Sequence, residues 1–182
     1  LLTMSATVLY LLQTRLIAQE ITTPEARTRL FSGMDLITNL LSWLVQIFLT
    51  NRLIKRFGLV SALIFLPLVS AVGFSLIGFN QTLLLFLSFT IVRRVGEYAI
   101  SKPAREVLFT VVTREEKYKA KNFIDTAVSR GGDASTGWLI TGVQALGATT
   151  AHLAWMLVPI MLTWSWLGWF LAQRERRMQT TK

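Results

Sequence analysis

The residues most able to do chemistry in this chain are ionisable side chains inside two long apolar segments. Arg93, Arg94 and Glu97 lie in one segment, and Arg130 and Asp133 lie in another. A charge at the centre of a bilayer costs at least about 2.5–3.5 kcal/mol, and it is kept where it faces a bundle interior or an aqueous cavity. Such groups bind ionic solutes or carry protons. We therefore predict that these five residues bind a solute or couple its movement to an ion.

Depth along the helices favours one shared site. At about 1.5 Å per residue, Arg130 and Asp133 lie about 13 and 18 Å from the cytoplasmic end of their segment. Arg93 and Arg94 lie about 16–18 Å from the outer end of theirs, and transporter substrate sites lie near the bilayer midplane.

Two alternatives stay open for these charges. Arg93 and Glu97 are four residues apart, so they can pair on their own helix, and Arg130 and Asp133, three apart, can do the same. If residues 82–112 form one long tilted helix, the two arginines of that segment would instead extend toward the cytoplasmic headgroups.

Several further polar residues are secondary candidates for solute binding or coupling. They are Asp35, Asn39, Lys102, Arg105, Lys121 and Asp125. We expect Asp35 only one turn inside the outer surface, where Arg29 or Arg27 would pair with it, and Asn39 one turn deeper on the same face. Asp125 stands near the cytoplasmic entrance, where tethering to the basic connection explains it equally well.

Composition excludes several other kinds of site. The chain has no cysteine, which excludes disulfides and thiolate metal sites, and its single histidine, His152, cannot form a multi-histidine site. No nucleophile, base and orienting group recur at one depth. The glycine-containing stretch "SRGGDASTG" at 129–137 lacks the Lys-Ser/Thr ending of a phosphate-binding loop. We expect no enzyme activity, no cofactor and no bound metal.

Hydropathy predicts an all-α integral membrane protein. Of 182 residues, 52% are hydrophobic and 16% are charged, whereas soluble domains have about 25% charged residues. A membrane-spanning helix needs about 20 mostly apolar residues. Six segments meet or nearly meet this requirement: about 1–19, 31–50, 58–79, 82–100, 122–147 and 151–172. Short turns join them, including "NRLIKRFG" at 51–58, apart from a polar connection at 101–121 in which Pro103 begins a short helix over 103–112.

The distribution of basic residues predicts the orientation. Thirteen Lys and Arg residues fall on the side of 51–57, 102–121 and the C-terminal tail, whereas two fall on the opposite side. Cytoplasmic loops carry the excess of Lys and Arg, so we place the C-terminus in the cytoplasm. The same distribution accounts for the net charge of +9 without nucleic acid as a partner; the lipid bilayer is the expected one.

One charged stretch resembles a known family. The sequence "KPAREVLFTVVTREEKYKAKNFID", residues 102–125, continues to Arg130 and Gly132 and is similar to the ATP/ADP carriers of plastids and intracellular bacteria. The matching positions are Pro103, Arg105, Glu106, Lys117, Lys119, Lys121, Asp125, Arg130 and Gly132. The basic turn at 52–58 is similar to a second-half loop of major facilitator transporters.

This resemblance implies the C-terminal six-helix half of a major-facilitator-type twelve-helix transporter in a bacterial inner membrane. The N-terminal half is expected to precede the sequence as given and to be a partner of this half. The implied function is secondary active transport of an organic anion or a nucleotide-like solute by alternating access. Glu97 and Asp133 stand where the nucleotide exchangers carry Lys, which leaves ATP/ADP exchange itself open. An exporter of unrelated small solutes and a non-transporting six-span scaffold are the alternatives, and the midplane charges favour transport over the scaffold.

Overall fold

The structure is a computed structural model that describes residues 2–108, 118 and 122–180. Most of the expected connection at 101–121, including Lys121, lies outside the described residues, as does the side chain of Asp125. The described part of the chain is helical and contains no strand, which confirms the all-α prediction.

Seven α-helices and three π-helical segments make up the described chain. The α-helices are α1 (Leu2–Glu20), α2 (Pro24–Val45), α3 (Asn51–Phe79), α4 (Leu83–Gly96), α5 (Lys102–Leu108), α6 (Ser129–Ala145) and α7 (Thr150–Thr180). The π-helical segments are π1 (Gln46–Thr50), π2 (Glu97–Ser101) and π3 (Ile124–Val128).

The second helix begins earlier than hydropathy predicts. Thr23 has an extended backbone and Pro24 opens α2, where a missing N–H costs nothing. The Arg27 side chain donates from Nε to the carbonyl of Ile21 at 2.6 Å and from Nη2 to that of Ala18 at 3.1 Å. These bonds satisfy carbonyls at the end of α1. The polar start of α2 therefore belongs to the helix, because Pro24 and Arg27 set its first turn.

The turn expected at 51–58 has helical backbone. The chain keeps helical structure from α2 through π1 into α3, and the one positive φ among the described residues is at Gly147. Yet α2 runs in the same direction as α4, whereas α3 runs against it, with Phe65 near Gly96 and Phe89 against Gly73. The connection expected at 51–58 therefore forms the first turns of α3, and its Leu, Lys and Arg residues favour helix.

Four helices lie side by side in the order α2, α4, α1, α6, and all of them except α1 carry candidate residues. Helices α3 and α7 pack along each other, and one core cluster joins them to α1, α4 and α6. Phe74 and Phe89 meet there edge to face, with ring centroids 5.3 Å apart. A Cβ at Gly73 would overlap the Phe89 ring. Only glycine therefore permits this packing of α3 on α4.

Three stretches of the described chain are long and apolar enough to cross a membrane: 24–50, 61–79 and 150–170. They overlap three of the six expected spans. The expected spans at 1–19, 82–100 and 122–147 are not among them. Helix α4 has 14 residues and carries two arginines in its last turn, while α6 is rich in Gly, Ser and Thr. Of the four helices in the row, α2 is thus a candidate span, whereas α1, α4 and α6 are not among the stretches found.

Candidate functional site

Arg93 is buried between α4 and α1. Its side chain donates from Nη2 to the carbonyl of Leu2 at 3.2 Å and to the Ser5 hydroxyl at 3.1 Å. Its Nη1 lies 3.5 Å from the Glu97 carboxylate, so the pairing expected from their spacing is present. The residue is 3% exposed, and three partners hold its guanidinium. Arg93 is therefore placed to join α1 to α4 rather than to meet a solute.

Arg94 points the other way, toward α2. Its Nη1 lies 2.5 Å from Asp35 Oδ1, and the two side chains are 38% and 60% exposed. Each residue is eleven positions from the start of its helix, or about 16–17 Å along it. Asp35 therefore lies three turns inside α2, not one, and pairs with Arg94. The expected pairing with Arg29 or Arg27 was wrong because α2 begins at Pro24.

A second, buried polar contact joins α1, α2 and α4, and the sequence analysis missed it. Thr90 donates its hydroxyl to Gln13 Oε1 at 2.8 Å, and Gln13 Nε2 lies 3.4 Å from Met34 Sδ. Side chains such as Gln and Thr bond across helices inside membrane bundles. The signal was available, because Ser5 and Gln13 are isolated polar residues on the apolar face of α1.

On α6, Asp133 bonds to α1 and not to Arg130. The Thr7 hydroxyl donates to Asp133 Oδ1 at 2.6 Å, whereas Arg130 is exposed. No ion pair joins Arg130 to Asp133, although both side chains lie in the described part of the chain, so the expected pair does not form. A Cβ at Gly132 would lie 2.8 Å from Thr3 Oγ1. This close approach of α6 to α1 gives Asp133 a partner on the neighbouring helix.

The candidate charges form two groups, because α1 lies between α4 and α6. The Asp35–Arg94 pair is on one side of α1, and the Thr7–Asp133 bond is on the other. The charges of α4 and α6 lie at a similar level, because Arg93 and Asp133 both bond to the first two turns of α1, at Leu2, Ser5 and Thr7, but α1 separates the two helices. Their order along the chain does not make them neighbours in space.

The continuation of α4 through π2 into α5 carries a further cation. Lys102 Nζ lies 4.1 Å from the centroid of the Tyr98 ring, and both residues are exposed. Arg105 is partly buried, and its Nε has no hydrogen-bond partner among the described residues. Asn39 is exposed one turn beyond Asp35. Arg94 and Lys102 are thus accessible cations on one continuous helical stretch.

Metal chemistry has no grouping to support it in the part of the chain that is described. No cluster of three or more His, Asp or Glu side chains lies together there. The His152 ring bonds the Thr149 hydroxyl at 2.9 Å, beside the start of α7. The candidate residues can bind ions, because they present guanidinium and ammonium groups beside carboxylates and hydroxyls.

Comparison with protein-family models, with curated proteins and with solved structures finds nothing that matches this chain. The resemblance to the ATP/ADP carriers therefore rests on its motif alone.

Proposed function

We propose that this chain is the six-helix half of a secondary active transporter that moves an organic anion or nucleotide-like solute by alternating access. The observation that carries the proposal is the exposed Asp35–Arg94 ion pair, which joins the middle of α2 to the last turn of α4 and lies eleven residues from the start of each helix. Its cytoplasmic orientation and its bacterial inner membrane remain part of the same proposal.

The exposure of this pair supports transport because of where it lies along the helix. Lipid cannot solvate charges near the bilayer centre, so such residues face a bundle interior or a water-filled cavity. Asp35 and Arg94 are bonded to each other but are not covered by the helices of this chain. The two residues that follow Asp35 on α2, Leu36 and Ile37, are exposed apolar residues suited to lipid. One side of α2 therefore suits water and another suits hydrocarbon.

A scaffold would need only buried charges like Arg93, which ties two helices together. It would not need a half-exposed pair, because such a pair costs free energy in a membrane and stabilises the contact between its two helices only weakly. An exporter of unrelated solutes remains the alternative within the same architecture. Transport of cationic or neutral solutes would distinguish such an exporter from the proposed anion transporter.

Transport by the full-length protein in proteoliposomes tests the proposal. The probes are labelled ATP, ADP, inorganic phosphate, succinate and tetraphenylphosphonium. We expect saturable uptake of at least one anion, loss of that uptake in Arg94→Gln, and retention in the matched control Arg15→Gln. Arg15 is an exposed arginine near the outer end of α1. Uptake of the organic cation alone, or unchanged anion uptake by Arg94→Gln, would contradict the proposal.

A further inference from the structure

Three side chains follow one another at four-residue spacing along α4, π2 and α5. Arg94 is partly exposed, and Tyr98 and Lys102 are exposed. Residues four apart lie on one helix face, and the contact of Lys102 with the Tyr98 ring shows that the spacing holds through π2. From Arg94 to Lys102 the helix rises about 12 Å. A cation at each end and an aromatic ring between them thus line one side of the helix.

Each of these cations is held by a group of the protein that can be displaced. Arg94 has the Asp35 carboxylate at 2.5 Å, and Lys102 has the Tyr98 ring at 4.1 Å. Exposed ion pairs contribute about 0–1 kcal/mol, and exposed cation–π contacts about 0.5–1 kcal/mol. Arg93 differs, since it is buried and bonded to Leu2, Ser5 and Glu97. Only the exposed cations can therefore exchange partners at little cost.

We propose that Arg94 and Lys102 are the two ends of one anion-binding track, and that Asp35 is an internal counter-ion that the anion displaces. The ligand class is a small organic or inorganic anion with a carboxylate or phosphate group. Such a group binds a guanidinium through two parallel hydrogen bonds, and Tyr98 offers its ring to the body of an organic anion. Lys102 receives the anion at the cytoplasmic end. The displaced Asp35 carboxylate stays hydrated because its side chain is 60% exposed.

This inference rests on the proposed function, but it makes a prediction of opposite sign for the two partners of one ion pair. Removing the cation in Arg94→Gln should abolish binding of the anion. Removing the competing carboxylate in Asp35→Asn should strengthen binding by about two- to fivefold, which is the range that an exposed pair of up to about 1 kcal/mol allows. If the ion pair were merely structural, both substitutions would weaken anion binding to a similar extent.

Isothermal titration of the purified full-length protein in nanodiscs measures the effect, with ATP, inorganic phosphate and succinate as separate probes. The matched control is Glu25→Gln, which removes an exposed acid near the start of the same helix and should leave affinity unchanged. Tighter binding in Asp35→Asn and loss in Arg94→Gln support the track. Binding of phosphate compounds but not succinate identifies phosphate as the recognised group, and the reverse identifies carboxylate.

Lys102→Gln keeps the test decisive if the Asp35 variant does not fold. Because Lys102 is exposed at the cytoplasmic end, its replacement should leave the elution profile unchanged and weaken binding at least threefold. Unchanged affinity in Lys102→Gln, or weaker binding in a folded Asp35→Asn, overturns the track even where anion transport itself is observed. If none of the three anions binds the unmodified protein, both the track and the proposed function fail.

Discussion

Thr50 is predicted to replace a hydrogen-bond donor that Pro103 lacks. Ala99 lies in π2, and Pro103, four residues further on in α5, has no N–H to give its carbonyl the bond that an α-helix would provide. The Thr50 hydroxyl, at the end of π1, donates to the Ala99 carbonyl at 2.6 Å. Thr50 is 4% exposed and Ala99 is fully buried. Prolines are tolerated in membrane helices where such neighbouring hydroxyls satisfy the freed backbone groups.

The magnitude follows from leaving that carbonyl without a partner. A buried unsatisfied acceptor costs about 1–3 kcal/mol, and hydrogen bonds between membrane helices contribute about 0.6 and at most about 1.7 kcal/mol. We therefore expect Thr50→Val, which keeps shape and branching, to lower the free energy of unfolding by about 1–2 kcal/mol. The hydroxyl's other contact, at 3.2 Å to the Val45 carbonyl, lies within its own helix and adds little.

A double-mutant cycle with Pro103→Ala isolates the effect. Alanine restores the N–H, so the Ala99 carbonyl regains a donor in its own helix. In that background Thr50→Val should lower the free energy of unfolding by less than about 0.5 kcal/mol. The assay is unfolding of the purified protein in mixed micelles by increasing SDS, followed by circular dichroism. An equal cost of Thr50→Val in both backgrounds would show that Thr50 does not act through the missing donor.

Four other outcomes follow from the structure and the proposed topology. Gly73→Leu should prevent folding, because even a Cβ meets the Phe89 ring, whereas Gly142→Leu, with open space around it, should fold; size-exclusion profiles compare them. Asp133→Ala should lower expression more than Arg130→Ala, because only Asp133 bonds across helices, to Thr7; equal yields would contradict this. Cysteines replacing Lys55 or Lys119 should resist external labelling in intact cells, while one replacing Glu25 should react, and the reverse pattern would invert the topology. Labelled ATP should exchange with ADP slowly or not at all, since the proposed resemblance puts the acids Glu97 and Asp133 at positions where the ATP/ADP carriers have Lys; rapid exchange would refute that argument.

Local spacing predicted what depends on one helix. The all-α class and the Arg93–Glu97 pair follow from apolar segments and from a separation of four residues. The partner of Asp35 did not follow, because it depends on where α2 begins. Hydropathy placed the start at 31, whereas Pro24 opens the helix. The seven added residues place Asp35 at the level of Arg94.

Contacts between helices were beyond local patterns. Nothing in the spacing of Arg130 and Asp133 reveals that α1 lies beside α6 and that Thr7 takes the place of Arg130. The Thr50–Ala99 contact is different, because a proline within a helical sequence by itself indicates a carbonyl that needs another donor. What the sequence does not provide in that case is the identity of the donor.

Water access beside the Asp35–Arg94 pair is a direct test of a solute cavity there, and it needs no knowledge of the solute. In the membrane-embedded full-length protein, single cysteines replace Asn39, one turn from Asp35 on the same face, and Leu36, on the apolar face. A charged methanethiosulfonate reagent reacts only with thiols in water. We expect rapid modification of the thiol at Asn39→Cys and protection of the thiol at Leu36→Cys. Protection of both positions, or modification of Leu36→Cys alone, would contradict a water-filled cavity along α2 and α4.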